Sequence, residues 1–285
     1  MKTIAAPVGL SWAAVVLAAA ASLVPDLAAA QGGAVTLAAH RAVYDLKLTQ
    51  TRGRRPMQAV RGRILYDFSG SACEGYALQF RQVSQLDNGE GKVAVSDLRA
   101  TTWEDGAAKR LRFNSQSFID DRLRDSVDGQ AERGQSGIGV RLTKPGTKSV
   151  DLNAELLFPA EHVRHIITAA RAGKTLVEAV VYDGSETGEK LYDTLTVIGQ
   201  PIAPNDRKPG DAAAGQAGLA ALTRWPVTIS YFEKGNKGGE QTPIYAITFE
   251  LYENGISRAL VLDYNDFVLS GEMTTLEIKD AKPCQ

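Results

Sequence analysis

Groups that bind metals or carry out nucleophilic chemistry are scarce: the chain of 285 residues has two cysteines, Cys73 and Cys284, and three histidines. A zinc centre takes three or four nitrogen, sulfur or carboxylate donors held together. His162 and His165 sit three positions apart and can share a helix face, but His40 belongs to a different element. No metal or cofactor is expected. Strong charge is missing too. The net charge of -1 gives no electrostatic basis for binding nucleic acid or an anionic membrane surface. Arg61, Arg63, Arg110 and Arg112 are spread through alternating runs, and no basic stripe is interleaved with aromatics as in single-strand binders. Outside the first residues no apolar run reaches about 18 positions, so no membrane-spanning helix is expected. There is no G-x-S-x-G elbow, and Ser69-Gly70 and Ser270-Gly271 stand where turns are needed.

Residues 180–199, VVYDGSETGEKLYDTLTVIG, carry glycines and a lysine in an order that suggests a phosphate loop. The mechanics exclude it. Only Ser185, Glu186 and Thr187 separate Gly184 from Gly188, Glu189 intrudes before Lys190, and the two glutamates repel phosphate. Tyr192, Thr194, Thr196 and Ile198 then alternate with Asp193, Leu195 and Val197. The stretch reads as strand, turn, strand.

What is present begins with a secretory signature. Lys2, the apolar run Leu10 to Leu23 and the small residues Ala28-Ala29-Ala30 predict a signal peptide over 1–30, with export to an oxidising compartment. About 255 residues remain, read as one domain over 31–285. In that compartment the lone pair Cys73 and Cys284 reads as a disulfide, worth roughly 5 kcal/mol at most.

Short alternating runs fill the chain: Tyr44 to Leu48, Ile64 to Phe68, Tyr76 to Phe80, Val93 to Trp103, and onward through Ile138 to Leu142. Asn88-Gly89, Asp105-Gly106, Asp128-Gly129 and Pro145-Gly146 punctuate them as turns. The pattern resumes from Trp225 to Ile278, with Glu253-Asn254-Gly255 as a hairpin turn. The class is mainly β, an antiparallel sheet that curls into a barrel, half-barrel or sandwich. One helix interrupts it over 159–172. Pro159 suits the first turn, Val163, Ile166, Ile167 and Ala170 form the apolar face, and Gly173 suits the stop. Residues 201–222, rich in Pro, Gly and Ala, read as a flexible loop or insert with a short helix near Leu219.

The acids give no catalytic pair. Asp120-Asp121 and Asp263 with Asp266 sit at strand ends, where carboxylates are ordinarily solvated turn residues.

Taken in order, several motifs resemble one family. Tyr182-Asp183-Gly184 through Lys190, Tyr192, Thr194, Ile198 and Gly199 resemble a signature of the EipB family of cell-envelope integrity proteins, which are periplasmic in Gram-negative bacteria. So do Phe158-Pro159 with His162, Trp225-Pro226-Val227 with Tyr231, Leu251 through Ser257, Asp263-Tyr264 with Asp266-Phe267, and the cysteine pair. Ala160, where the family is expected to carry Thr, and the Ala/Gly-rich stretch near 212 depart from the pattern. The resemblance implies a many-stranded open or spiral β-barrel, similar to lipoprotein carriers of the Lol type, with an associated helix and the disulfide fastening the C-terminus. It implies a non-enzymatic periplasmic role in envelope integrity and stress resistance, and no catalytic residues. The expected partners are a periplasmic or envelope protein, or a lipid or lipoprotein acyl chain. Tyr66, Phe68, Leu78, Phe80, Trp103, Phe249 and Leu251 are the expected inward residues, lining a ligand space or filling a core. The rival reading is a periplasmic hydrolase of envelope polymers using Asp263, Asp266 or the His162 pair.

Overall fold

A computed structural model describes residues 33–52, 57–135, 137–152, 155–206, 210–216, 218–235 and 242–280. The expected signal peptide and Cys284 lie outside the described residues. Alternation turns into strands throughout: β1 (His40–Thr51), β2 (Ala59–Ser71), β3 (Gly75–Asp87), β4 (Val93–Glu104), β5 (Arg110–Ile119), β6 (Arg122–Arg133), β7 (Ile138–Lys144), β8 (Lys148–Leu152), β9 (Leu176–Val181), β10 (Tyr192–Ile198), β11 (Arg224–Glu233), β12 (Tyr245–Tyr252), β13 (Ser257–Asp263) and β14 (Phe267–Ile278). Among them, β8 was not legible in the sequence. Its five residues, KSVDL, hold too few apolar positions to show a period.

The 14 strands form a single antiparallel sheet in the order β8-β7-β6-β5-β4-β3-β2-β1-β14-β13-β12-β11-β10-β9. It consists of two meanders joined where the last strand pairs with the first, His40 opposite Ile278 and Thr51 opposite Phe267. The sheet is not closed. Its two ends, β8 and β9, are neighbours in sequence, and helix α1 (Pro159–Arg171) lies between them in the chain. Side chains far apart along the sheet nevertheless meet. Gln82 on β3 donates to the Tyr264 hydroxyl beyond β13 at 3.3 Å, and the Phe113 ring on β5 stands 5.9 Å from Tyr182 beyond β9. The sheet therefore curls about a common interior.

Three apolar clusters fill most of that interior. One packs Ile166, Ile167 and Ala170 of α1 against Trp225, Val227 and Leu251. Fully burying such aliphatic side chains contributes about 1.5–3 kcal/mol apiece relative to exposure. The second joins Tyr44, Leu46, Leu262, Leu269 and Met273 to Ala213 and Ala214 of a short helix, α2 (Ala212–Gln216), and to Leu219. The third lies on β5 to β8 with Leu156, Phe158 and Tyr182.

Residues 180–199 are strand, connection, strand as expected, β9 pairing antiparallel with β10, but the connection Tyr182 to Leu191 is long and folds its glycines against β5 to β7 rather than turning tightly. Gly184 and Gly188, at φ of 72° and 75°, lie so close to Phe113, Val127 and Leu142 that a side chain at either position clashes. Their role is close packing. Nor is the described end of 201–222 a loose insert. Ala213, Ala214 and Leu219 are buried, and Asp211 pairs with the buried Arg258 at 2.5 Å.

Candidate functional site

Inward residues of β3 to β6 follow directly from register. Leu78 lies opposite Thr102 and Phe80 opposite Ala100. Across the next pair Thr102 faces Phe113, Ala100 faces Ser115 and Leu98 faces Ser117. Ser115 and Ser117 then face Val127 and Asp125 on β6. Large residues alternate with Ala, Ser and Thr along this wall, so it does not fill the space that its curvature creates. What remains is a recess of about 730 Å³, with an apolar floor from Leu78, Phe80, Leu98, Phe113 and Val127, bounded by Pro159 and by Asp183 to Thr187. Its size and lining are those of a small-molecule site.

The start of α1 forms one border, and Glu104 holds it there. Phe158 has no polar side chain with which to cap the helix, and Pro159 has no N–H. Glu161 takes the Phe158 N–H at 3.2 Å, as in half a capping box. The remaining donors, the N–H groups of Ala160 and Glu161, go to the Glu104 carboxylate at 2.6 and 2.8 Å. A β4 residue thus supplies the cap that position 160 does not. Burial pushes the Glu104 carboxyl up to about 7, against the opposing effect of those two N–H groups and of Arg164. Arg133 braces the same corner, pairing with Glu161 at 2.8 Å and donating to the Leu156 carbonyl at 3.1 Å.

An aromatic row starts beside the Asp183 to Thr187 segment, where the Tyr192 hydroxyl donates to Glu186 at 3.0 Å. Tyr192, Tyr231, Tyr245, Tyr264 and Phe267 form a chain of ring contacts with centroids 5.0–6.2 Å apart, running from β10 across to β14. Burial drives the Tyr231 and Tyr245 phenols upward. Burial also raises the Asp183 carboxyl, partly offset by the Ser185 N–H at 2.9 Å.

The seven expected inward residues divide among three locations. Leu78 and Phe80 line the recess. Tyr66, Phe68, Phe249 and Leu251 belong to the filled core. Trp103 is a correction: inward residues of β4 are Leu98, Ala100 and Thr102, so alternation sends Trp103 to the outer face, where exposed Arg112 stacks over its ring at 5.4 Å. Sequence reasoning missed Glu104, Ser115, Ser117 and the 183–187 segment. Glu104 ends a strand of otherwise unremarkable pattern, and nothing local marks it as the cap of a helix 56 positions later.

The residues considered for hydrolysis occupy unrelated surroundings. Asp263 is tied to Arg52 at 2.8 Å, and that pairing lowers its carboxyl. His162 is buried and pushed down to about 4 by desolvation, while His165 is exposed. His40 Nδ1 donates to the Ala38 carbonyl at 2.8 Å, and its ring stacks on Tyr66. Asp120 and Asp121 take left-handed conformations in the β5–β6 turn. Among the described residues no group of three His, Cys, Asp or Glu is placed to hold a metal, and no helix is long and apolar enough to cross a membrane. Cys73, in the β2–β3 turn, is not a free thiol.

The model of a family described as EipB-like matches residues 31–280. The cell envelope integrity protein EipB of Brucella abortus is 37% identical over 254 residues, covering 89% of this chain and 88% of that protein. A crystal structure of a beta-barrel-like protein of a domain of unknown function, also from Brucella abortus, superposes with a TM-score of 0.79 at 36% identity. That match covers 87% of this chain and all of the other.

Proposed function

Because the chain belongs to the EipB-like family, we propose that it is a non-enzymatic periplasmic protein that supports cell-envelope integrity by holding a lipid or lipoprotein acyl chain in the recess of its curled sheet. The observation that carries this reading is the recess itself: an apolar floor of Leu78, Phe80, Leu98, Phe113 and Val127 in about 730 Å³, on the inner face of an open sheet. Apolar side chains facing unfilled space gain by covering it with hydrocarbon. The polar fringe of Ser115, Ser117 and Asp183 supplies hydrogen-bonding groups for a head group.

Native mass spectrometry of the protein purified from a periplasmic extract tests this, together with titration by a fluorescent fatty acid. Copurified lipid and saturable probe binding are expected, and both disappear when Ala100→Trp and Ser115→Phe fill the recess of a still-folded protein. An empty protein that takes up no probe, or a filled variant that binds as well as the original, overturns the reading.

The proposal includes a Cys73–Cys284 disulfide tying the tail to the β2–β3 turn, a long-loop link worth roughly 5 kcal/mol at most. Thiol titration of the unfolded, unreduced protein is expected to find no free sulfhydryl. Two would remove the link.

A further inference from the structure

Strand β9 ends the sheet, and among the described residues only its last positions are covered. Leu157 runs parallel to it there, its N–H donating to the Val180 carbonyl at 2.8 Å and its carbonyl accepting from the Tyr182 N–H at 3.0 Å. Along a strand, backbone groups of alternate residues point to the same edge. Leu176 and Glu178 therefore present their N–H and C=O groups on the edge used by Leu157, and no described residue pairs with them. Natural edges are usually blunted by Lys, Pro or a bulge, and the β9 sequence LVEAVV has none of these.

The surface beside this edge is apolar. Leu176 is 59% exposed and its cross-strand neighbour Val197 46%. Leu157, Val180, Leu195 and Phe232 line an adjoining groove of about 660 Å³, with Glu155 and Glu178 at its rim. Asp193 in the same groove is satisfied by Lys234 at 3.1 Å. Glu155 and Glu178 have no ion pair among the described residues.

We infer that this edge is a docking site for an extended segment of a partner protein in which apolar residues alternate with Lys or Arg. Its backbone adds to β9 beside Leu176 and Glu178, its apolar side chains enter the groove, and its cations meet Glu155 and Glu178. This is strand addition with charge selecting the partner. The chain's own Leu157 already uses the edge this way. No residue lining this groove also lines the recess, so the inference stands whether or not the recess holds a ligand.

The test uses the mature chain and a ten-residue peptide of alternating Val and Lys, followed by fluorescence anisotropy and by amide exchange in NMR. Binding about tenfold or more tighter than that of the Val and Glu counterpart is expected, weakening with salt. The amides of Leu176 and Glu178 should gain protection. Glu155→Lys with Glu178→Lys reverses the preference, and these exposed or rim positions leave the fold intact by circular dichroism. Failure of the Val and Lys peptide to bind, equal binding of both peptides, or equal binding of a backbone N-methylated peptide overturns the inference. So does self-association in ultracentrifugation that Glu178→Lys abolishes, because the occupant is then a second copy.

Discussion

The two flanks of the interior obey the same rules with opposite results. On β10 to β14 the inward positions carry Val227, Ile229, Leu251, Leu262 and Met273, and helices α1 and α2 press further apolar side chains against them. On β3 to β6 the inward positions include Ala100, Thr102, Ser115 and Ser117, among the described residues no helix covers the wall beyond the start of α1, and a recess remains. Strand pairing is equally regular on both flanks. Whether a curled sheet is filled or hollow is thus set by side-chain volume at inward positions and by what the connections bring to them, since the pairing pattern alone leaves the interior undetermined.

Truncation on each side gives the widest contrast. Trp225→Ala, in the filled flank, should cost about 3–5 kcal/mol by leaving a cavity among well-packed neighbours. Leu98→Ala, on the hollow wall and 36% exposed, should cost under about 1 kcal/mol, since it enlarges space already open. Denaturant titration of the two variants measures the difference, and equal losses break the comparison.

A smaller effect sits where the flanks meet. The Glu104 carboxyl titrates near 7 in the folded chain against 4.5 ordinarily. Between those values the folded state holds a proton that the unfolded state has released. Stability contributed by this group is therefore fully present below about pH 4.5 and falls as pH rises towards 7, by roughly 3 kcal/mol. Glu104→Gln should flatten that part of the stability profile while losing about 1 kcal/mol of capping. If the slope persists in the variant, another group produces it and Glu104 does not control how α1 is seated.

Much of this was readable in one dimension. The period-2 runs give nearly all the strands, and the spacing of Val163, Ile166, Ile167 and Ala170 gives α1 to within a residue or so. Other features resisted for identifiable reasons. Trp103 is expected inside, yet its parity in β4 puts it outside, where Arg112 covers it. The stretch around Ala213 reads as loose because Ala and Gly carry no periodic signal, and it is buried by contact with β14 and the apolar cluster that includes Leu269 and Met273. Asp211 likewise appears to be an ordinary loop acid until Arg258 and Glu250 complete its buried network.

Local chemistry is enough to fix what most segments become: alternation selects strand, a Pro start with 3.6-residue apolar spacing selects helix, and turn residues set the hairpins. The order of strands around the interior, the hollow on one side, the cap that Glu104 lends to α1 and the bare edge of β9 arise only when the last strand pairs with the first. Each of these depends on residues distant in sequence meeting across a curved sheet, and such meetings are decided by the closure of the whole chain.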